Sequence, residues 1–132
     1  MTKGSDIEDR LVDFGVRIVK LCGKIPSTTA GKHIGRQLVR SGTSPAPNYA
    51  EARGAESQKN FVHKLKIVLK KLNESRVWLK IIIRSELIKA DRLSSLIEEC
   101  DQLCKIIGAS IQTSRRNIGS VREKSATYEF VH

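Results

Sequence analysis

Apolar positions recur at helical spacing through most of the chain. The pattern predicts four helices, over about residues 6–22, 29–53, 57–87 and 92–114. Gly42, Pro45 and Pro47 exclude an uninterrupted second helix, so we expect a break near 42–47. Residues 115–132 lose the period and are predicted to form a flexible tail. Four helices with short connections predict an all-α, up-down four-helix bundle with a kinked second helix.

The longest predicted helix, over residues 57–87, carries three different strips. One side is apolar and is predicted to face the core: Phe61, Val62, Leu65, Val68, Leu69, Leu72, Leu79 and Ile83. The opposite side is basic along most of its length: Lys59, His63, Lys66, Lys70, Asn73, Val77, Lys80 and Arg84. A third strip contains Ile67, Trp78 and Ile82, which a single core would not need. This third strip predicts an interface between copies of the chain.

Polar residues near the predicted helix starts indicate caps. Ser5 with Glu8 three residues later fits a capping box for the first helix. The other candidate caps are Ser27 or Thr28 for the second helix, Ser44 for the segment after the break, and Asp91 for the last helix.

The positive charge is concentrated in one part of the chain. The 132 residues, enough for one domain, carry a formal net charge of +10. Residues 57–84 contain eight Lys or Arg and one Glu, whereas residues 91–114 contain two basic and four acidic residues. A local basic field of this kind is typical of an anion-binding surface. The alternative is a solvated helix face that only keeps the protein soluble.

Catalytic and metal-binding patterns are missing from the sequence. His33, His63 and His132 are scattered, and none has metal-ligand spacing with another His or Cys. The sequence contains no phosphate-binding loop, and its single Glu-x-x-His spacing, Glu129 to His132, lacks the second copy that a di-iron bundle needs. We therefore expect no enzymatic activity, no metal and no cofactor.

The remaining composition bears on location and on the thiols. Cys22, Cys100 and Cys104 are in phase with the apolar residues of their helices and are predicted to be buried free thiols. The chain has no apolar stretch long enough to span a membrane, and its first ten residues have no signal-peptide core. A cytoplasmic location without membrane partners is expected.

The basic row suggests binding to RNA or DNA through phosphates. Aromatic residues are scarce, so stacking on bases is not indicated, and binding is predicted to be electrostatic with little sequence preference. The candidate contact residues are Arg36, Arg40, Arg53, Lys59, Lys66, Lys70, Lys80 and Arg84. A protein-interaction adaptor, in which the same row meets an acidic protein partner, is the alternative hypothesis.

Residues 40–79 read RSGTSPAPNYAEARGAESQKNFVHKLKIVLKKLNESRVWL, and this stretch resembles a known family. The shared features are Arg40-Ser41-Gly42-Thr43-Ser44, Asn48-Tyr49 with Glu51-Ala52, Ala55-Glu56-Ser57, Phe61-Val62-His63-Lys64-Leu65-Lys66-Ile67, and Asn73-Glu74-Ser75 with Trp78-Leu79. They are similar to the bacterial four-helix-bundle proteins encoded in 23S rRNA intervening sequences, the S23 family. Pro45-Ala46-Pro47 departs from the family pattern, which puts the geometry of the kink in doubt.

The resemblance implies a ring-like homopentamer without catalytic residues. It also implies a poorly defined function: association with the ribosome and 23S rRNA is suggested chiefly by gene location, while distantly similar accessory proteins of diversity-generating retroelements bind nucleic acid and a reverse transcriptase. Five polar positions match the family pattern, Asn48, Tyr49, Glu51, Glu56 and Glu74. We expect them to act structurally, at the kink and between helices.

Overall fold

The protein is an all-α bundle. The computed structural model describes the backbone from Lys3 to Val131 and the side chains of residues 4–119. Every regular element in that part is helical: α1 Lys3–Cys22, α2 Thr29–Thr43, α3 Pro45–Arg53, α4 Gln58–Arg84, a 3₁₀ turn Ala90–Arg92, and α5 Ser94–Val131. The segments α2 and α3 are the two halves of the predicted second helix, so the bundle has four arms.

Each arm packs against its two neighbours around a common core. α1 contacts α2, α3 and α5, while α4 contacts the same three segments from the opposite corner. The largest fully buried side chains come from all four arms: Leu11, Phe14, Ile18, Leu38, Leu65, Leu72, Leu79, Ile82, Leu93, Leu103 and Ile107. The core is therefore one continuous apolar cluster.

The start of α1 differs from the prediction. The helix begins at Lys3, so Ser5 and Glu8 lie inside its first turns and the capping-box prediction is wrong. Glu8 instead accepts a hydrogen bond from Arg53 of α3, with 3.2 Å between Oε1 and Nη1. The carboxylate therefore connects two arms instead of closing its own helix.

The break between α2 and α3 is at Ser44. Pro45 begins α3, and because neither Pro45 nor Pro47 has an N–H, the hydrogen-bond ladder of α2 cannot continue through them. Ser44 occupies the N-cap position of α3, as predicted, but it has helical dihedral angles and its side chain makes no cap hydrogen bond. Asn48 Nδ2 binds this corner instead, at 2.9 Å from both the Ser44 carbonyl and the Ser44 hydroxyl.

The start of α2 is as predicted, and its packing depends on glycine. Thr28 caps the helix, its hydroxyl accepting a hydrogen bond from the Gly31 amide at 3.0 Å. A Cβ at Gly31 would lie only 2.0 Å from the Pro26 carbonyl oxygen, and one at Gly42 would lie 2.7 Å from Ile18 of α1. These two glycines let the chain before α2, and then α1, approach the helix backbone closely.

The core stripe of α4 follows alternating steps of three and four residues. Its fully buried members include Leu65, Val68, Leu72, Ser75, Leu79 and Ile82. A stripe with this 3.5-residue period drifts by about 20° per heptad around a helix, or roughly 50° between Leu65 and Ile82. Ile82 therefore lies in the core with none of its surface exposed, and its assignment to the third strip is wrong.

The last arm starts later and continues further than predicted. Asp91 lies in the 3₁₀ turn and α5 begins at Ser94, so Asp91 does not cap this helix. The backbone of α5 is helical through Val131, so no helix end occurs at residue 114. The flexibility of residues 115–132 stays a prediction. His132 and the side chains from residue 120 onward lie outside the described part of the chain.

Candidate nucleic-acid interface

The outward face of α4 carries five cationic side chains in a row. Lys59, Lys66, Lys70, Lys80 and Arg84 are all exposed. They lie on the side of the helix opposite its buried stripe, as the sequence predicted. At about 1.5 Å per residue, the row spans roughly 37 Å from Lys59 to Arg84. We call these five residues the α4 row.

Three further cations of α4 point toward neighbouring groups and are paired. Lys64 lies 2.6 Å from Glu51 of α3, Lys71 lies 3.7 Å from Glu74, and Arg76 lies 3.5 Å from Asp101 of α5. None of the ion pairs among the described residues includes a member of the α4 row. The fold thus neutralises the cations at the helix flanks and leaves the outermost five charges uncompensated.

The predicted arginines outside α4 have different positions. Arg36 and Arg40 are exposed on α2, which packs directly against α4. Arg53 lies on α3 and pairs with Glu8 of α1 at 3.2 Å. Arg36 lies beside Cys22 and Ile25 near the connection between α1 and α2, and Arg53 is directed toward α1.

An open groove of about 850 Å³ follows the outer surface of α4 beside α2. Its lining combines the apolar side chains Leu69, Val77 and Trp78 with Gln37, Asn73, Glu74 and the cations Lys66 and Lys70. Val77 is 52 % exposed, and Ile81 one turn later is 38 % exposed. The sequence reasoning did not assign Ile81, although it follows Val77 at helical spacing. The cationic surface therefore contains a small apolar patch.

The predicted interface strip does not stay together in the fold. Ile82 is buried, whereas Ile67 and Trp78 are each half-buried. The Trp78 ring packs against the core and meets His33 edge to face, with 6.0 Å between the ring centroids. Only Ile67 and the outer part of Trp78 remain available to a second molecule.

The polar family-motif residues lie mostly at joints between helices. Asn48 holds the Ser44 corner, Glu51 joins α3 to α4 through Lys64, and Glu74 pairs with Lys71. Tyr49 is buried, and burial raises the pKa of its hydroxyl. Glu56 is exposed in the link between α3 and α4.

The arms α2 and α4 also share a polar contact that the sequence reasoning did not identify. Ser41 and Ser75 are both buried, and Ser75 Oγ donates to Ser41 Oγ at 2.9 Å. The Ser75 hydroxyl also lies 3.0 Å from the Lys71 carbonyl. The core positions of α4 are spaced by three and four residues, and this spacing includes residue 75. It was the sequence signal that could have predicted the burial of Ser75.

All three cysteines are free thiols, with Cys100 buried and Cys22 and Cys104 half-buried. The Cys100 thiol donates to the Leu72 carbonyl oxygen at 3.3 Å, and the Cys104 thiol donates to Asn73 Oδ1 at 3.7 Å. The interaction between these two neighbouring thiols, one turn apart on α5, raises the pKa of Cys100 and lowers the pKa of Cys104. No group of three or more His, Cys, Asp or Glu side chains within the described residues could hold a metal ion. In the same part of the chain, no helix is both long and apolar enough to cross a membrane.

The fold and this surface define a helical-bundle protein with a broken second arm and a cationic outer helix. Residues 4–109 match the family of 23S rRNA-intervening sequence proteins, and the chain belongs to that family. A similar solved structure is a protein of unknown function from the S23 ribosomal protein family of Bacteroides thetaiotaomicron. The two chains are 32 % identical with a TM-score of 0.78, over 84 % of this chain and 99 % of the other. Among curated proteins, none matches this chain.

Proposed function

We propose that this protein is a non-enzymatic, oligomeric bundle that binds RNA or DNA through the phosphate backbone. The observation that carries the proposal is the α4 row, five exposed cations without acidic partners among the described residues. Positively charged side chains held in line on a rigid helix neutralise successive phosphates and release their counterions.

Arg36 and Arg40, which are exposed on the neighbouring helix α2, are further candidate phosphate contacts. The fold contributes no exposed row of aromatic side chains on the described part of α4, where Trp78 is half-buried against the core. Binding is therefore mainly electrostatic, and the affinity should depend little on the nucleic-acid sequence. Structured fragments of 23S rRNA are the first probe, because the family is named after 23S rRNA intervening sequences.

The test is a titration of labelled rRNA fragments and duplex DNA over a series of salt concentrations. The variant Lys66→Glu/Lys70→Glu/Lys80→Glu reverses three charges of the α4 row. The matched control is Lys24→Glu/Lys89→Glu/Lys105→Glu, which makes the same change in net charge at exposed positions elsewhere.

The slope of the logarithm of the binding constant against the logarithm of the salt concentration is negative. We expect its magnitude to decrease by roughly 2 to 3 in the α4 variant and by much less in the control. Equal losses in both triple variants would show that only net charge matters and would contradict an interface on α4. Absence of binding by the unmodified protein at low salt would contradict the function itself.

For the assembly, we propose the ring-like homopentamer that the family resemblance implies, with Ile67 and the outer part of Trp78 in contact with the next subunit. Ile67→Glu places a charge in that contact, and it should reduce the mass in solution without reducing helix content. An unchanged mass would remove this interface. In such a ring, five chains of charge +10 would combine their fields around one nucleic acid.

The adaptor hypothesis has one observation in its favour. Val77 and Ile81 expose apolar surface inside the cationic face, and an acidic amphipathic helix of another protein would match both features. This alternative predicts that Val77→Ser/Ile81→Ser abolishes partner binding, whereas phosphate-backbone binding should survive the same change.

A further inference from the structure

α1 has a second apolar face that the bundle does not use. Val12, Val16 and Val19 are 46 %, 45 % and 53 % exposed. The opposite side of the same helix supplies the buried core residues Ile7, Leu11, Phe14, Ile18 and Leu21. Three exposed valines on successive turns form a continuous apolar stripe, and we call it the valine seam.

The spacing of the valine seam is that of a helix–helix contact. Steps of four and then three residues separate Val12, Val16 and Val19, which is the alternation found along the seam of a coiled coil. The core side of α1 shows the same alternation, because Ile7, Leu11, Phe14, Ile18 and Leu21 are separated by steps of four and three. One helix thus has two packing faces, and only one of them is covered within the chain.

The charges beside the valine seam complement themselves in one orientation only. Asp13 directly follows Val12 and Lys20 directly follows Val19, so both lie on the same flank of the seam. Both side chains are exposed, and neither belongs to an ion pair among the described residues. A parallel pair of α1 helices would place this flank of the two copies on opposite sides of the seam, so Asp13 and Lys20 would not meet across it. An antiparallel pair centred on Val16 places Asp13 of each copy opposite Lys20 of the other.

Both edges of α1 already contact other helices, which leaves one direction of approach. Gly15 lies against α2, where a Cβ would be 3.5 Å from the Gly42 carbonyl oxygen, and Glu8 pairs with Arg53 of α3. Arg10 and Arg17 turn toward α5, where they donate hydrogen bonds to Glu99 at 2.6 Å and Ser95 at 2.7 Å. The valine seam with Asp13 and Lys20 is the outward surface that remains.

We propose that a second copy of this chain docks on α1 in antiparallel orientation, across a two-fold axis at Val16. Val12 of each copy then packs on Val19 of the other, and the two ion pairs between Asp13 and Lys20 flank the seam. This surface lies on α1, at the opposite corner of the bundle from the α4 row. One helix pair buries less than the roughly 1,600 Å² of a standard interface, so association should depend on concentration.

Disulfide trapping tests the position of the two-fold axis. In a Cys22→Ser background, the variants Val12→Cys, Val16→Cys, Val19→Cys and the control Lys105→Cys are oxidised at high protein concentration. The control position is exposed on α5, away from the seam. We expect Val16→Cys to give the most covalent dimer, because only residues at the axis meet their own equivalents at disulfide distance. Differently tagged Val12→Cys and Val19→Cys chains should crosslink to each other more than to themselves.

Equal yields of covalent dimer at positions 12, 16, 19 and 105 would overturn the proposal, and so would crosslinking of position 16 to a different face of the second copy.

Charge reversal adds an independent measurement of dimer formation, by sedimentation. Asp13→Lys and Lys20→Asp should each reduce dimer formation, whereas Asp13→Lys/Lys20→Asp in one chain should restore it. A double variant as weak as the single variants, with unchanged helix content, would contradict the antiparallel pairing.

Discussion

α1 and α4 lie at opposite corners of the bundle and differ most on their outward faces. α4 presents five cations that form no ion pair among the described residues, around a small apolar patch, while α1 presents three valines with acidic and basic side chains beside them. A row of a single sign suits a polyanion, because like charges cannot pair with each other. A face with both signs in a fixed order suits a second copy in one orientation. The two surfaces therefore differ in the kind of partner they suit, and the order of positive and negative charges decides this more than the number of charges.

The inward faces of the two helices are alike by comparison. Both bury an apolar stripe with alternating steps of three and four residues, and both supply several of the largest buried side chains. Substitutions should therefore separate folding from binding cleanly, since inward changes affect stability and outward changes affect association.

Ile81 and Ile82 give the largest contrast between the two sides of α4. Ile82 is fully buried and Ile81 is 38 % exposed. Ile82→Ala should lower the free energy of unfolding by about 2–5 kcal/mol, because it leaves a cavity in the core. Ile81→Ala should change it by less than about 1 kcal/mol. Urea denaturation measures both, and equal costs would mean that Ile82 does not belong to the core stripe.

On α1, the inward face is constrained by the close approach of α2. Gly42→Ala places a methyl group 2.7 Å from the buried Ile18 side chain, so it should cost about 1–3 kcal/mol in thermal or urea unfolding. Gly35→Ala is the control, because its Cβ would meet nothing closer than 3.8 Å. This control should be neutral, or more stable by up to about 1 kcal/mol, since alanine favours the helix. A neutral Gly42→Ala would contradict the tight contact.

Single charge reversals should affect the two outward faces differently. Lys70→Glu should weaken RNA binding and reduce the salt slope by about 1, because one phosphate contact is lost. Lys20→Glu makes the same change in net charge on α1 and should leave that slope nearly unchanged while it weakens the proposed α1 pairing. Fluorescence anisotropy over a salt series distinguishes them, and identical slopes would make the two faces equivalent.

The smallest effect is expected at the paired cation Lys64. Lys64→Gln removes a partly exposed ion pair with Glu51 and should cost at most about 1 kcal/mol of stability. Its effect on RNA affinity should be smaller than that of Lys66→Gln two residues later. Lys66 belongs to the α4 row, which forms no ion pair among the described residues. A larger loss for Lys64→Gln would contradict the division of α4 into paired and unpaired cations.

Much of the architecture could be read from local patterns. The apolar period predicted the helices, Pro45 and Pro47 predicted the break in the second arm, and Thr28 was among the predicted caps. These features depend on dihedral preferences and missing donors within a few residues of the position concerned. The exposure of the α4 row was predictable for a similar reason, since a helix with one apolar stripe turns its opposite side outward.

Other features depended on how the arms pack together. A straight helical wheel placed Ile82 outside the core because it ignored the drift of a 3.5-residue stripe, which becomes visible only when the partner helices are in place. The sequence placed Arg53 among the candidate phosphate contacts, because its acidic partner Glu8 lies on another arm and becomes its neighbour only when α3 packs on α1.

By itself, the sequence determined an all-α chain with four amphipathic arms, a proline-directed break and a concentration of positive charge on one helix, because these properties arise from neighbouring residues. Only the tertiary structure decided which of those charges remain without partners, that Ser75 pairs with Ser41 in the core, and that the valine seam on α1 stays uncovered. Each of these depends on contacts between residues far apart in the chain, and local spacing carries no information about which distant residue comes near.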